Sequence, residues 1–416
     1  MNTSNIIVFF NPEQSGTSLK RGAPAFFAAD TGILLEDPTR FFRKRYVQSG
    51  KSRSPLTWEK GAYALATWFD FLEALETPIE CALATREDLL KYRDLYLGSI
   101  SPKTGEPYDP DTVGYRMSVI CDFYRHQAGL GRYDGTILQG DLASTTSIAT
   151  VSVGPENTFI RDSQPGIDLD IFPKSTSDDL IRPYSPADWQ RMMKVLGPLP
   201  SANRSGDLCR DTLIFTTALV LGIRISELTG LTCYQFLSIT DATLFSQHNL
   251  EVKGKGSRSR MIRCPGWLVL EINIYIAHER QTAADRLKKR ISAALFLTSV
   301  NSKRPGAKLS NRRIQEIHYE ACFRAGLTRT VMRVIDDSGD LKPVEISRYR
   351  VHDLRHTYAV WTYQSLKQAG DPEPWKQIQA QLGHRHLATT LNTYLEYVAI
   401  FDASVPVADL RGIMKW

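Results

Sequence analysis

The sequence Val351-His352-Asp353-Leu354-Arg355-His356 places two imidazoles and a guanidinium in one short segment. On a helix, His352 and His356 lie one turn apart on the same face, with Arg355 beside them. A guanidinium forms forked, charge-assisted hydrogen bonds to anionic oxygens, and an imidazole exchanges a proton near neutral pH. The segment therefore predicts a helix that carries part of a site for an anionic group such as a phosphodiester.

Further polar side chains on either side extend this pattern. The upstream positions are Arg224, in Gly222-Ile223-Arg224-Ile225-Ser226-Glu227-Leu228, and Lys255, in Gly254-Lys255-Gly256; the downstream ones are His384, in Leu382-Gly383-His384, and Tyr394. The order Arg, Lys, His-x-x-Arg, His, Tyr resembles the tyrosine recombinase (phage integrase) family, and all six expected positions are filled. Each motif alone is weak evidence, but the joint pattern, which covers residues 185–400, is specific.

This resemblance implies a reaction and a role for each side chain. Tyr394 is the expected nucleophile, which attacks a DNA phosphodiester to give a 3′-phosphotyrosine and a free 5′-hydroxyl. Lys255 is the expected general acid for the leaving 5′-oxygen, and His384 the expected hydrogen-bond donor to a non-bridging oxygen. Glu227 and His356 are expected to support these groups.

Elementary chemistry gives reasons for the remaining roles. The pentavalent phosphorane carries extra negative charge, which the guanidiniums of Arg224 and Arg355 can meet. A phenol has a pKa of about 10, so attack near neutrality needs a base, and His352 is the predicted one. Because a tyrosyl ester preserves the bond energy, rejoining needs neither ATP nor metal, and no cofactor is expected.

Two other functions compete for the same residues. A zinc hydrolase would use His352 and His356 with ligands from His384-Arg385-His386, but Asp353 replaces the glutamate of a His-Glu-x-x-His motif and Arg355 would add a cation beside the metal. A DNA-binding regulator without catalysis is the second alternative, and the complete set of site residues argues against it. Tyr397 is a competing phenol, but its spacing from His384 is less favourable than that of Tyr394.

The predicted fold is mainly α with a small antiparallel β-hairpin or sheet, and it comprises a helical domain and a mixed α/β domain. Residues 1–55 are assigned to an N-terminal extension, 56–130 to a helical domain, 131–184 to a linker, and 185–416 to the catalytic domain with its C-terminal tail. By resemblance, the helical domain is the SAM-like core-binding domain, which packs on one face of the DNA, and the last domain is the tyrosine recombinase catalytic domain.

Local patterns support these boundaries. Trp58, Leu65 and Leu72 share a helical face after Thr57, a candidate N-cap, and Thr85-x-x-Asp88 has the form of a capping box. Ser185-Pro186-Ala187-Asp188 has the form of a helix start. In the catalytic domain we expect an apolar helix over 207–221 that ends at Gly222, a hairpin around Lys255, a second hairpin over 331–349 and, between the domains, a strand over 148–153.

Charge and composition favour a DNA-binding protein outside any membrane. The net charge of +6 is modest, but cations cluster in several patches, as phosphate-tracking surfaces require. The candidate DNA contacts are Arg43, Lys44, Arg45, Lys253, Arg258, Arg260, Arg312 and Arg313. Double-stranded DNA is the expected partner, the expected location is the cytoplasm at the nucleoid, and neither a signal peptide nor a membrane span is evident. The resemblance also implies a homo-tetramer on DNA joined through the tail Val407 to Trp416, with an accessory directionality factor as a further expected partner.

Overall fold

The structure is a computed structural model that describes residues 6–11, 20–49, 54–102, 104–138, 171–174, 181–203, 208–254, 259–287, 292–335, 340–384 and residue 394. These residues form two compact units. The first contains the described residues up to 174 together with Met332–Lys342. The second contains those of Leu180–Val331 and those from Pro343 onward.

The first unit is mainly helical. Its elements are β1 (Ile6–Phe10), β2 (Pro24–Ala28), α1 (Glu36–Phe42), which continues as a wider turn over Arg43–Gln48, α2 (Pro55–Glu73), α3 (Arg86–Leu97) and α4 (Pro110–Ala128). β1 and β2 are antiparallel, with Ile6 opposite Ala28 and Phe10 opposite Pro24. The buried core joins α1, α2 and α4 through large aromatic side chains, among them Phe41, Trp68 and Phe123.

Residues upstream of α2, which were predicted to form an N-terminal extension, contribute to the core of the first unit. Phe26, Phe41 and Phe42 are fully buried in the same core as the helices of residues 56–130. This burial was not predicted because the hydrophobic residues of the segment lack a sustained period, although the segment holds enough aromatic side chains to join a core. Beyond residue 130, Ile137 and Ile171 also belong to this core, whereas the predicted strand 148–153 lies outside the described residues.

The second unit contains the elements that carry the candidate site. Its elements are α5 (Pro186–Leu196), α6 (Arg210–Leu221), α7 (Ile225–Leu228), α8 (Cys233–Leu237), β3 (Gln247–Lys253), β4 (Ser259–Pro265), α9 (Gly266–Tyr275), α10 (Gln281–Asp285), α11 (Asn311–Arg324), α12 (Asp353–Gln368) and α13 (Pro374–Leu382). Two further strands, β5 (Thr328–Val334) and β6 (Leu341–Ser347), belong partly to this unit and partly to the first. β3 and β4 form the predicted antiparallel hairpin, with Lys253 opposite Ser259, and β5 pairs with β6. α6 is buried on almost every side and contacts α12.

Several local predictions are confirmed. Thr85 and Asp88 form the capping box of α3, Ser185 accepts a hydrogen bond from the Asp188 amide at the start of α5, and Gly222 ends α6 in the left-handed region at φ 60°. The predicted start of α2 at Thr57 is wrong. The helix begins at Pro55, because proline is favoured in the first helical turn.

The predicted fold class is confirmed: the described residues are mostly helical, with two-stranded sheets only. The six cysteines are free thiols, and five of them are buried. None of the helices in the described ranges combines the length and the apolar composition that a membrane span requires.

Substitution of Gly222 tests the junction between α6 and α12. A Cβ at Gly222 would lie 2.5 Å from Tyr358 Cδ1, in addition to the left-handed strain of about 1–2 kcal/mol. Gly370 has a φ of +80° with open space around its Cβ position, so Gly370→Ala carries the strain alone. We expect Gly222→Ala to lower the free energy of unfolding by more than Gly370→Ala does, as measured by urea denaturation. Equal losses would contradict the tight contact with Tyr358.

Candidate active site

The centre of the site is the buried guanidinium of Arg355, in the first turn of α12. Arg355 is 2% exposed. Its Nη1 donates to the Gly222 carbonyl at 2.9 Å, and its Nη2 donates to the Leu382 carbonyl at 2.7 Å and to His384 Nε2 at 3.0 Å. Both carbonyls lie at helix C-termini, where Gly222 and Gly383 turn the chain in the left-handed region. Arg355 therefore satisfies carbonyls that α6 and α13 leave without helical partners, at the negative ends of both helix dipoles.

The charge of Arg355 is only partly compensated. Burial and the neighbouring Arg224 lower its pKa to about 10, so it still carries a proton at neutral pH. Its three described hydrogen-bond partners are two carbonyls and an imidazole, which are uncharged groups. A buried cation whose hydrogen-bond partners are uncharged favours an anionic ligand.

Arg224 lies beside this cation and is held by Glu227. Arg224 precedes α7, its amide donates to Glu227 Oε2 at 2.8 Å, and its Nη1 is 3.4 Å from Glu227 Oε1. The Arg224 side chain remains 26% exposed, whereas that of Glu227 is fully buried. The guanidinium of Arg224 is thus anchored on one side and still reachable from solvent on the other.

Glu227 has a second cationic partner, Arg260 on β4. Two nitrogens of Arg260 bind the two oxygens of Glu227, with Nη2 to Oε2 at 3.0 Å, and Arg260 Nε donates to the Gln381 carbonyl. Burial alone would raise the pKa of Glu227, but the hydrogen bonds and charges of Arg260 and Arg224 lower it instead. Glu227 is therefore a buried carboxylate that fixes two arginines at once.

Arg260 differs from its predicted role as a DNA contact. Its side chain is only 17% exposed, and its charge faces Glu227. The physical reason is the strand alternation, because Arg260 shares the inward face of β4 with the buried Ile262 and Cys264. An arginine in the inward register of a strand indicates a buried anionic partner, and this signal was present in the sequence.

The three histidines of the pattern lie close to Arg355. His352 precedes α12, His356 follows Arg355, and their rings meet edge to face with centroids 4.8 Å apart. Burial first, and then the charge of Arg355, lowers the pKa of His384 to about 3. Since a guanidinium can only donate, Nε2 of His384 accepts from Arg355, and the proton of this neutral ring lies on Nδ1.

Tyr394 lies against His356. It is 1% exposed, and its Oη is 3.1 Å from His356 Nδ1. The indole of Trp375 on α13 is nearly parallel to the phenol ring, with centroids 6.4 Å apart. Neither Trp375 nor Gln381 was predicted from the sequence to lie at the site. Gln381 joins α13 to β4 and α6 by accepting from the Arg263 amide and donating to the Leu221 carbonyl.

The remaining predicted residues are exposed or lie outside the described ranges. Lys255 and Arg258 lie outside the described residues, as do His386, Tyr397 and the tail from Val407. Lys253 is exposed at the end of β3, and Arg312 and Arg313 are exposed at the start of α11, where they pair with Glu316. Arg43, Lys44 and Arg45 are exposed together in the first unit.

Potential metal ligands do not converge within the described part of the chain. No group of three His, Cys, Asp or Glu side chains there has a geometry suited to a metal ion. Arg355 occupies the position beside His384 Nε2 that a metal would need.

Comparisons with known proteins relate this chain to one family. A family model described as the Phage integrase family matches residues 188–398, just over half of the chain. The tyrosine recombinase XerC of Chlamydia pneumoniae is 29% identical over 198 residues, which are 48% of this chain and 50% of that protein. The chain thus spans about half the length of this curated relative.

Two solved structures share the fold at low identity. One is the XerH site-specific recombinase bound to a palindromic difH substrate in a post-cleavage complex, with 14% identity, 87% of this chain and 83% of that chain covered, and a TM-score of 0.52. The other is a lambda integrase dimer bound to a COC′ core site, with 13% identity, 91% and 81% covered, and a TM-score of 0.51.

Loss of Arg260 tests the ion-pair network around Glu227. In Arg260→Met the buried Glu227 carboxylate keeps Arg224 as its one cationic partner among the described residues, so we expect the free energy of unfolding at neutral pH to fall by about 3 kcal/mol. Without Arg260 the pKa of Glu227 rises from its lowered value, so the loss should shrink as the pH falls through the pKa of Glu227 in the variant and should vanish below the lowered pKa of Glu227 in the wild type, where the carboxylate is neutral in both proteins. Denaturation curves at neutral and acidic pH measure both effects.

Arg263→Met is the matched control for this prediction. Arg263 is three residues farther along β4 on its exposed face, so this substitution should change stability by less than about 0.5 kcal/mol. A deficit of similar size in both variants would contradict the assignment of Arg260 to the buried network.

Proposed function

Because the chain belongs to the phage integrase family, we propose that it is a site-specific DNA recombinase that cleaves and rejoins DNA strands through a 3′-phosphotyrosine at Tyr394. The observation that carries the proposal is the buried cation of Arg355. It has uncharged hydrogen-bond partners, lies near Arg224 and interacts electrostatically with Tyr394. A phosphodiester is a ligand that satisfies this cation and also offers the phenol an electrophile.

The two arginines stabilise the charge that develops during attack. Arg224 and Arg355 bind the non-bridging oxygens of the scissile phosphate, and removal of such a donor typically costs 10²–10³-fold in rate, roughly 3–4 kcal/mol. His384 adds a hydrogen bond from Nδ1–H, the nitrogen on which its bond from Arg355 leaves the proton. Glu227 supports the arrangement because it fixes Arg224.

Protonation of the leaving group is assigned to Lys255. The 5′-oxygen is a poor leaving group unless it receives a proton as the phosphorus–oxygen bond breaks. Lys255 belongs to the segment that connects β3 and β4, between Gly254 and Gly256, and a hairpin tip is suited to reach into a DNA groove. The tyrosyl ester preserves the energy of the broken bond, so rejoining needs no ATP and no metal.

Double-stranded DNA is the proposed substrate of both units. We assign the helical first unit, with exposed Arg43, Lys44 and Arg45, to the core-binding role, and the second unit to catalysis. Lys253, Arg258, Arg312 and Arg313 are the proposed phosphate contacts of the catalytic unit, since exposed pairs such as Arg312–Glu316 are weak and leave the cation available. The DNA bound to XerH and to lambda integrase in their structures supports this substrate class.

Assembly and location follow from the same reaction. Exchange between two duplexes needs four active sites, and we propose a homo-tetramer joined through Val407 to Trp416, with an accessory factor that sets direction. Such a protein acts in the cytoplasm at the nucleoid, and its reaction is that of mobile genetic elements. The alternative function is a regulator that binds DNA without catalysis, and the experiment below distinguishes it from a recombinase.

Trapping of a covalent protein–DNA adduct on a nicked suicide substrate tests the function. Tyr394→Phe removes only the phenolic oxygen, so this variant should bind the DNA and form no adduct. Tyr397→Phe is the matched control and should form the adduct at a normal rate. Gel electrophoresis under denaturing conditions measures the adduct, and the wild-type reaction should continue in excess chelator.

Three outcomes would contradict the proposal. DNA binding without an adduct in the wild type would indicate the regulator. An adduct that persists in Tyr394→Phe and disappears in Tyr397→Phe would reassign the nucleophile. Loss of activity in chelator with recovery in zinc would support a metal-dependent hydrolase.

A further inference from the structure

The side chain of His356 lies within hydrogen-bond distance of the Tyr394 hydroxyl. Its Nδ1 is 3.1 Å from Tyr394 Oη, and the two rings are 5.6 Å apart at an angle of 60°. His356 follows Arg355 in the first turn of α12, so the same turn carries the cation for the phosphate and the imidazole beside the phenol. The contact involves the reacting oxygen itself.

From this geometry we infer that His356 is the proton acceptor for Tyr394, a role that the sequence analysis gives to His352. The inference rests on the proposed function and deepens it. The Tyr394 O–H bond breaks and its proton moves to Nδ1 of His356 while the phenolic oxygen bonds to phosphorus and the 5′-oxygen departs with a proton from Lys255. On rejoining, Nδ1–H of His356 returns the proton to the departing phenolate, and the attacking 5′-hydroxyl gives its proton to Lys255.

Charge around His356 suits a base that becomes stronger when DNA binds. Its charged and titratable neighbours are His352 before α12, Arg355 on α12, His384 after α13, and Tyr394. Burial first, and then His352, Arg355 and His384, lowers the pKa of His356 to about 3. The ring is thus neutral before DNA binds, as an acceptor must be.

A bound phosphate changes this balance in the required direction. The negative charge that Arg355 attracts offsets the positive charge that opposes protonation of His356, so the pKa of His356 rises when the substrate is in place. A general base is most effective when its pKa lies near the working pH. The base and the phosphate site are therefore coupled through Arg355.

His352 has a separate position. Its ring packs edge to face on the ring of His356, with centroids 4.8 Å apart. In this arrangement His352 orients the His356 ring and adjusts its pKa. His352 is then a positioning residue for His356.

The test compares His356→Asn with His352→Asn in single-turnover adduct formation on the suicide substrate. Asn at 356 can accept a hydrogen bond from the phenol but cannot take its proton. We expect His356→Asn to form the adduct about 10²–10⁴-fold more slowly near neutral pH. Its rate should rise about tenfold per pH unit, because hydroxide then removes the phenolic proton that the base removes in the wild type.

A fluorinated tyrosine at position 394 has a lower phenol pKa and therefore needs less help from a base. It should raise the rate of adduct formation in a variant that lacks the base, but not in a variant whose defect is only structural. It should restore most of the lost rate in His356→Asn and little in His352→Asn. Gln364→Ala, on the same helix and away from the site, is the control for effects on α12 and should react at the wild-type rate. Thermal unfolding and DNA binding verify that the variants fold.

Several results would overturn the inference. A His356→Asn rate within about threefold of wild type would exclude general-base catalysis by His356, since such catalysis is worth at least about 10²-fold. If neither high pH nor the fluorinated tyrosine restores the rate of His356→Asn, the role of His356 is structural. If the fluorinated tyrosine restores the rate of His352→Asn alone, His352 is the base. If His356→Asn does not fold, His356→Ala with and without added imidazole replaces it, and failure of imidazole to restore the rate would count against the inference.

The same assay separates this inference from the proposed function. If the wild type forms no adduct at all, the proposed function fails. If the wild type forms the adduct at Tyr394 and the His356 variants do so equally well, only the role of His356 fails.

Discussion

The site depends on one buried cation held between the ends of two helices. Arg355 binds the terminal carbonyls of α6 and α13 and thereby joins three helices at one point. The glycines that end those helices, Gly222 and Gly383, expose these carbonyls in the left-handed conformation that glycine adopts without strain. Carbonyl dipoles stabilise the guanidinium without neutralising it, so the fold keeps a positive charge in its interior and leaves it for an anionic ligand.

The neighbouring residues follow from that charge. Arg224 adds a second cation within reach of solvent, and the repulsion is offset by Glu227, whose carboxylate also binds Arg260 on β4. The imidazoles of His356 and His384 are kept neutral by burial and by the positive neighbours. They can therefore accept hydrogen bonds from Tyr394 and Arg355. Under the proposed function, electrostatics links the two arginines that bind the phosphate to the protonation of the groups around Tyr394.

Much of this arrangement could be predicted from the sequence, because the relevant signals are local. The capping box at Thr85, the proline start of α5 and the glycine end of α6 each depend on a few adjacent residues. The role of Arg260 was visible only as an arginine in the inward register of β4, and its partner Glu227 is 33 residues away. Trp375 and the contact between His356 and Tyr394 depend on how α13 and α12 pack, which no periodicity in the chain specifies. The aromatic residues of β2 and α1 belong to a core whose other members are distant in sequence, so their burial could not be predicted from local patterns.

The charge relationship between Arg355 and the scissile phosphate is the central claim, and a neutral substrate tests it directly. The measurement is the rate of strand cleavage by Arg355→Ala and by the wild type on ordinary DNA and on DNA with a methylphosphonate at the scissile position. If Arg355 acts by neutralising the phosphate, its loss should cost about 10²–10³-fold or more on the phosphodiester and far less on the uncharged methylphosphonate. An equal loss on both substrates would show that Arg355 supports the fold of the site without meeting the charge of the phosphate.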